Sequence, residues 1–307
     1  MLKSKSIIFI VGPTAVGKSS VAVELARRIK GEIISCDSMQ IYQGMEIITS
    51  KPSVHLRGKI KHHMIGVVSA EKEFNAAKFR KAAVKKVEEV IARGRVPIFV
   101  GGTGLYVSTL IDGIFEEKNS SPDIREKFYK LAKKYGNKYL YAKLKKADSS
   151  AAKKIHPHDA KRVIRALEVF AVTGKPISRM QKKRKGLGKD YNIKIFALNM
   201  DRDSLYKKID ERVQGMFKAG LIKEVKALLG KNLSKTSRYA IGIRELSGYF
   251  QGRYDLEEAK RLMKRNSRHY AKRQLTWFRK NKRINWINIK DKDTPFKVAR
   301  RLWKELC

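Results

Sequence analysis

Acidic residues are scarce in this chain. Its 307 residues include 29 Asp and Glu against 70 Lys and Arg, a formal net charge of +41. Solubility needs nothing like that excess. A field of this sign attracts polyanions, and nucleic acid is the first candidate. Lysine spread over solvated faces explains part of the excess, though less easily the places where basic residues cluster. Cysteine is almost missing. Cys36 and Cys307 can build neither a disulfide framework nor a zinc module of ordinary spacing, and a reducing cytoplasm is expected. No apolar run approaches the ~20 residues that span a bilayer, and the N-terminus reads as a strand rather than a signal peptide. The length suits one large domain or two smaller ones.

What is present is a phosphate-binding pattern. Gly12-Pro13-Thr14-Ala15-Val16-Gly17-Lys18-Ser19 fits G-x-x-x-x-G-K-[ST]. An apolar run over 7–11 precedes it, and a helical pattern over 20–29 follows. Strand, loop and helix are the context such a loop requires. The glycines let backbone amides turn around an oxyanion, the helix N-terminus and Lys18 add positive charge, and the Ser19 hydroxyl is placed to ligate Mg²⁺. The motif predicts a bound di- or triphosphate without saying which one.

Strand and helix alternate through the first hundred residues. Strands are expected over 6–11, 32–36 and 96–100, with helices over 19–29 and 75–93. Buried β-branched runs separated by helices imply a parallel sheet covered on both faces, with ligands beyond the carboxyl ends of the strands. The phosphate loop, Asp37 and Thr103 each follow such an end, so one crevice should collect all three. Asp37 is read as a Mg²⁺ ligand of the NTPase kind, a general base, or a helix cap. Thr103 sits in Gly101-Gly102-Thr103-Gly104, where the glycines admit a substrate to the backbone or simply make a tight turn. The pairs His62-His63 and His156-Pro157-His158 are not read as metal ligands. No carboxylate or cysteine completes them, and adjacent strand residues point to opposite faces. Asp159 is read as a helix cap.

From residue 116 the character turns helical and lysine-rich, and a strand returns over 192–198. The expected organisation is an α/β core of 1–115 and 191–307 with a mostly helical insertion, 116–190. Past 202 the chain reads as mainly helical, most clearly over 204–217 and 256–280. Between Lys260 and Arg283 lie eleven Lys or Arg and no Asp or Glu, with Tyr270, Trp277 and Phe278 interleaved. Such a helix binds unstacked bases and phosphates, or turns its aromatics to the core and its charges to water.

Together these motifs resemble the tRNA dimethylallyltransferases (tRNA isopentenyltransferases) along essentially the whole chain. Further matching blocks are Asp37-Ser38-Met39-Gln40-Ile41-Tyr42, Thr49-Ser50-Lys51-Pro52, His62-His63-Met64-Ile65 and Gly101-Gly102-Thr103-Gly104-Leu105-Tyr106. The insertion adds His156-Pro157-His158-Asp159 and Arg162-Val163-Ile164-Arg165-Ala166-Leu167-Glu168. The C-terminal part adds Ala240-Ile241-Gly242 and Tyr270-Ala271-Lys272-Arg273-Gln274-Leu275-Thr276-Trp277. The resemblance implies a P-loop NTPase-like parallel sheet flanked by helices, in a cytoplasmic monomer. It implies transfer of the dimethylallyl group of dimethylallyl diphosphate to the N6 amine of the adenosine 3′ of the anticodon, in tRNAs reading codons that begin with U. Asp37 would be the general base, Thr103 and Lys18 its catalytic partners, and residues 12–19 the diphosphate site with Mg²⁺ on Ser19. The anticodon stem-loop would be held by Asp37, Ser38, Met39, Gln40, Thr103, Arg125, Lys161, Arg162, Val163, Ile164 and Arg165, which makes the insertion a tRNA-binding domain. The sequence departs from the family pattern at Ile48 and Ile243, where Gly and Tyr are usual, and at Lys61, where Pro is common. Transfer to free AMP, ADP or ATP is the nearest rival, and a P-loop nucleotide kinase the next. A free nucleotide needs no large basic surface.

Overall fold

A computed structural model describes residues 5–114 and 121–306. Cys307 and the expected boundary at 115–116 lie outside the described residues. Six strands form one sheet: β1 (Ser6–Val11), β2 (Gly31–Ser35), β3 (His62–His63), β4 (Val96–Gly101), β5 (Asn192–Asn199) and β6 (Ile284–Asn288). Their order is β3-β2-β4-β1-β5-β6, and every pairing is parallel. β1 lies inside the sheet, with Phe9 in register with Phe99 of β4 and Ile195 of β5.

Helices of eight residues or more are numbered α1 (Lys18–Ile29), α2 (Ala76–Ala92), α3 (Gly104–Ile111), α4 (Pro122–Ala147), α5 (Ala160–Thr173), α6 (Arg202–Lys218), α7 (Leu221–Leu229), α8 (Ile243–Phe250), α9 (Leu256–Arg279) and α10 (Pro295–Lys304). Strand alternation divides the core in two. Ile7, Phe9 and Val11 face the cluster built with α2, α3 and α7 to α9, whereas Ile8 and Ile10 face the one built with α1 and α10. Both faces are therefore apolar, and the continuous run of β1 follows from that. Phe9 and Phe99 stack at 4.8 Å across neighbouring strands, a cross-strand pair that helps fix the register.

The chain divides into two compact units, Met1–Ile111 with Leu187–Cys307, and Asp112–Gly186. The boundaries fall slightly before the expected ones. Leu187 is buried in the core unit's hydrophobic cluster and so leaves the helical unit. The helical unit has its own small core, in which Leu140 and Leu144 of α4 meet Val163, Ile164 and Leu167 of α5. Gly136, at φ 80°, breaks α4 in two. Asp159 caps α5, accepting from the Arg162 amide at 3.2 Å.

One element corrects the sequence reading. Residues past 202 are mainly helical, yet Ile284–Asn288 is a strand at the sheet edge. Of its five residues only Ile284 is buried. A run that short and half polar carries little local signal, and pairing with β5 determines its state.

Candidate active site

The phosphate loop leaves the end of β1 and enters α1. Gly12 (φ 140°) and Gly17 (φ 89°) hold backbone angles that favour glycine. Ala15, at φ 66°, is left-handed without being glycine, a local strain of about 1–2 kcal/mol. Strain of this kind persists where the surroundings impose it. The Lys18 ammonium folds back on its own loop, donating to the carbonyls of Gly12 (3.1 Å) and Pro13 (2.6 Å). Burial pulls its pKa down to about 7, Asp37 raises it, and Arg212 lowers it. Val16 is a core residue, 3% exposed, so its side chain supports the loop from beneath.

Asp37 follows β2 by two residues. Its Oδ1 accepts from the amides of Met39 (2.8 Å) and Gln40 (3.4 Å), which fixes the carboxylate against the turn it opens. Thr103 follows β4, next to β2 in the sheet. Its Oγ accepts from the Ser38 amide at 3.1 Å, so the two strand ends are tied together. Gln40 donates to the carbonyl of Ser50 at 3.2 Å. Glu224 of α7 accepts from the amides of Glu46, Ile47 and Ile48 at 2.8–3.1 Å, which anchors the segment after Asp37 to the C-terminal helices.

The Gly-Gly-Thr-Gly turn is glycine-rich for a reason other than substrate approach. A Cβ on Gly101 would stand 2.1 Å from the Cys36 carbonyl oxygen, one on Gly102 would stand 1.9 Å from Gln274 Nε2, and one on Gly104 would stand 2.2 Å from the Trp277 ring. These glycines admit β2 and α9. Gln274 is buried and bridges two loops. It accepts from the Thr14 amide at 2.8 Å and donates to the Gly102 carbonyl at 3.0 Å. The aromatics of α9 take three separate roles. Tyr270 lines the cavity, Phe278 is in the core and Trp277 covers Gly104.

A cavity of about 860 Å³ opens here. Thr14, Ala15, Gly17, Lys18 and Ser19 line it from the phosphate loop, and residues 37–40 from the β2 end. Thr103 reaches it through Ser38. Arg212 and Tyr270 line it too, and of these the sequence singled out only Tyr270. Arg212 of α6 is desolvated, which lowers its pKa, and Asp37 partly offsets this. Burial raises the pKa of Tyr270, as does Asp37, while hydrogen bonding toward Thr103 and Gln274 opposes the rise. No signal in its own helix, whose buried stripe is Leu205, Ile209, Val213 and Met216, marks Arg212 as a site residue.

The paired histidines diverge as strand geometry requires. His63 Nε2 meets Glu32 at 2.6 Å, and Arg93 holds the same carboxylate at 2.7 Å. Burial pushes Glu32 up, but the hydrogen bonds from Arg93 and His63 outweigh it and hold the carboxyl at about 2. His62 lines the cavity, with its buried Nε2 unpaired. Ile48 and Ile243 are both buried in one cluster. A Cβ on Gly242 would come within 3.1 Å of Ile48, so Ile48 packs against the turn that starts α8.

In the helical unit, Arg125 makes a two-pronged pair with Glu168 at 2.9–3.0 Å, and Arg165 joins the same carboxylate at 2.9 Å. The Glu168 side chain is fully buried. Removing either arginine would leave a buried charge short of a partner. Val163 and Ile164 are each 1% exposed in that unit's core, which corrects the expectation that residues 161–165 face RNA as a block. Lys161 and Arg162 carry the exposed side chains of that turn.

The chain as a whole is similar to known proteins. A tRNA dimethylallyltransferase from Halothermothrix orenii is 48% identical, over 94% of this chain and 89% of the relative. One from Caldanaerobacter subterraneus is 44% identical, over 98% and 97%. The solved structure of a full-length tRNA isopentenylpyrophosphate transferase from Bacillus halodurans matches with TM-score 0.72 and 40% identity, covering 99% of this chain and 97% of that one. A eukaryotic dimethylallyltransferase acting on tRNA matches with TM-score 0.80 and 30% identity, covering 94% and 75%. The profile of the IPP transferase family matches residues 40–281, and the chain belongs to that family.

Proposed function

We propose that this enzyme transfers the dimethylallyl group of dimethylallyl diphosphate to the N6 amine of the adenosine 3′ of the anticodon in tRNAs that read codons beginning with U. The observation that carries the reading is one cavity walled by a phosphate loop on one side and the Asp37 turn on the other, with Lys18 and Arg212 among its cations. The names of the relatives agree with dimethylallyl transfer to tRNA. Residues 12–19 hold the diphosphate. As the allylic C–O bond breaks, negative charge grows on the leaving diphosphate, and the Lys18 ammonium and Arg212 guanidinium stabilise it. The adenine amine is a poor nucleophile because its lone pair is delocalised into the ring. Asp37 takes its proton as the C–N bond forms, an effect worth roughly 10²–10⁴ in rate. With Oδ1 held by two amides, Oδ2 is the accepting oxygen. Thr103 and residues 38–40 hold the reacting base.

The donor set suits Mg²⁺. Ser19 and Asp37 offer hard oxygens in one cavity, and among the described residues no group of three His, Cys, Asp or Glu forms a dedicated cage. Magnesium shared with phosphates takes one or two protein oxygens and keeps its waters. When bound at Ser19 it would supply additional charge neutralisation on the diphosphate. Arg125 and residues 161–165 belong to the tRNA-binding unit, with Lys161 and Arg162 meeting phosphates and Arg125, Val163, Ile164 and Arg165 as its frame. The protein is read as a monomer, and tRNA as substrate fits the cytoplasm.

Incubation with dimethylallyl diphosphate and total tRNA, followed by nucleoside mass spectrometry, should show N6-isopentenyladenosine. Label appearing in free nucleotide instead would sink the reading, as would γ-phosphate loss from ATP. Asp37→Asn should keep tRNA binding and lose about 100-fold or more in single-turnover rate. A rate within threefold or so of wild type removes Asp37 as the base. Lys161→Glu with Arg162→Glu should lower the slope of log K against log salt by ~0.7–0.9 for each phosphate that is no longer neutralised. The same reversal at Lys85 and Lys86 of α2 should leave that slope nearly unchanged.

A further inference from the structure

A second cavity of about 700 Å³ adjoins the first, bounded by the Ser237–Tyr239 turn, α8 and α9. Tyr239, Ala240, Ile241 and Arg273 line both and form the shared wall. We infer that this second cavity binds an unpaired nucleotide flanking the reacting adenosine, with Tyr239 as the stacking platform and Lys231, Arg244 and Arg253 as the phosphate-binding cations. The inference rests on the tRNA reading above.

Charge is the first support. Lys231, Arg238, Arg244, Arg253 and Arg273 line the cavity with a single carboxylate, Glu245. That carboxylate is engaged elsewhere. It accepts from the Gly242 amide at 2.7 Å and from Asn266 at 2.6 Å, and it is 5% exposed. Two of the arginines are also committed. Arg238 donates to the Leu233 carbonyl at 2.7 Å, and Arg273 lies over the Tyr270 ring at 5.7 Å. Lys231, Arg244 and Arg253 remain exposed around the rim. This is a basic pocket, five cations against one carboxylate that is already hydrogen-bonded, as a polyanion requires.

The second support is Tyr239, 73% exposed at the junction of the two cavities. An aromatic ring at a basic rim is the arrangement that binds single-stranded nucleic acid, with base on ring and phosphate on cation. Place also matters. A base drawn out of its stack into the first cavity brings its neighbours to the mouth, and Tyr239 stands in that mouth. The isoprenoid diphosphate has no claim on this pocket, because its cradle is the phosphate loop and none of residues 12–19 lines it.

The test uses the full chain and an anticodon stem-loop RNA carrying 2-aminopurine next to the reacting adenosine, on either side. Wild type should quench the probe in one of the two RNAs on binding. Tyr239→Leu should lose the quench and weaken RNA binding roughly tenfold, since a base–aromatic stack is worth ~1–3 kcal/mol. Tyr239→Phe should keep both. Arg244→Ala with Arg253→Ala should flatten the salt slope by about 1.5 and leave the KM for dimethylallyl diphosphate unchanged. If these variants bind and modify the RNA as wild type does, the inference is wrong. A raised KM for the isoprenoid with unchanged RNA affinity would overturn it too, by giving the pocket to the other substrate. If wild type modifies no RNA, the tRNA reading itself has failed, an outcome separate from a functioning enzyme that ignores these substitutions.

Discussion

Two glycine-rich turns follow the neighbouring strands β1 and β4, and they use glycine for largely different reasons. In the phosphate loop the reason common to Gly12 and Gly17 is conformation, although a Cβ on Gly12 would also stand 2.5 Å from the Leu198 carbonyl oxygen. Gly17 sits at φ 89°, and an added Cβ there would meet nothing within 4 Å. In the Gly-Gly-Thr-Gly turn the reason is space. Gly101, Gly102 and Gly104 have no left-handed angle, but a side chain on any of them would collide with β2 or α9. The first turn is shaped to receive a ligand, and the second is shaped by what already packs on it. A glycine motif in a sequence does not reveal which kind it is.

The largest effect that would sharpen this contrast comes from emptying the first turn of its charge. Lys18→Met should lower kcat/KM for dimethylallyl diphosphate by about 10²–10³, with tRNA affinity unchanged. Lys18 also gives the turn a proton signature. Its pKa of about 7 leaves it mostly neutral at about pH 8.5, and a bound diphosphate raises that pKa. Binding should then take up nearly one proton at about pH 8.5 and none from Lys18 at about pH 6. Calorimetry in buffers of different ionisation enthalpy measures the uptake, which Lys18→Met should abolish.

Next in size is a steric break of the second turn. Gly102→Ala drives a methyl into Gln274 and should cost about 2 kcal/mol in denaturant unfolding. Removing the obstacle by Gln274→Ala in the same chain should recover more than half of that cost. Additive losses would mean the glycine is there for some other reason. The smallest effect belongs to Gly17→Ala. With no collision to relieve, it should cost only the left-handed backbone strain, about 1 kcal/mol, and a larger loss would erase the distinction between the turns.

Much of the core was legible because its signals are local. β1 has the bounds its apolar run gave, and α2 and α9 agree with their periodicity to within a residue or two at each end. The convergence of the phosphate loop, Asp37 and Thr103 followed from the rule for parallel sheets. What stayed hidden depends on long-range packing. Arg212 stands beside an ordinary apolar stripe, and nothing within its own helix indicates a cavity. Gln274 was part of a matching block, but its bridge joins residues 260 positions apart. Val163 and Ile164 lie in a basic stretch whose two faces only the fold separates. Ile284–Asn288 needed β5 to become a strand.

The Gln274 bridge also bears on how the protein is made. Synthesis runs from the N-terminus, so the phosphate loop, Asp37 and Thr103 all leave the ribosome long before α9 does. β5, which borders β1, arrives only after the whole helical unit has been translated. Until Gln274 is in place, the Thr14 amide and the Gly102 carbonyl lack the partner that holds their loops at a fixed separation. A nascent or prematurely terminated chain thus carries the phosphate loop, Asp37 and Thr103 without a working site. Catalytic competence is deferred to nearly the last step of biosynthesis, which keeps fragments from acting on substrate.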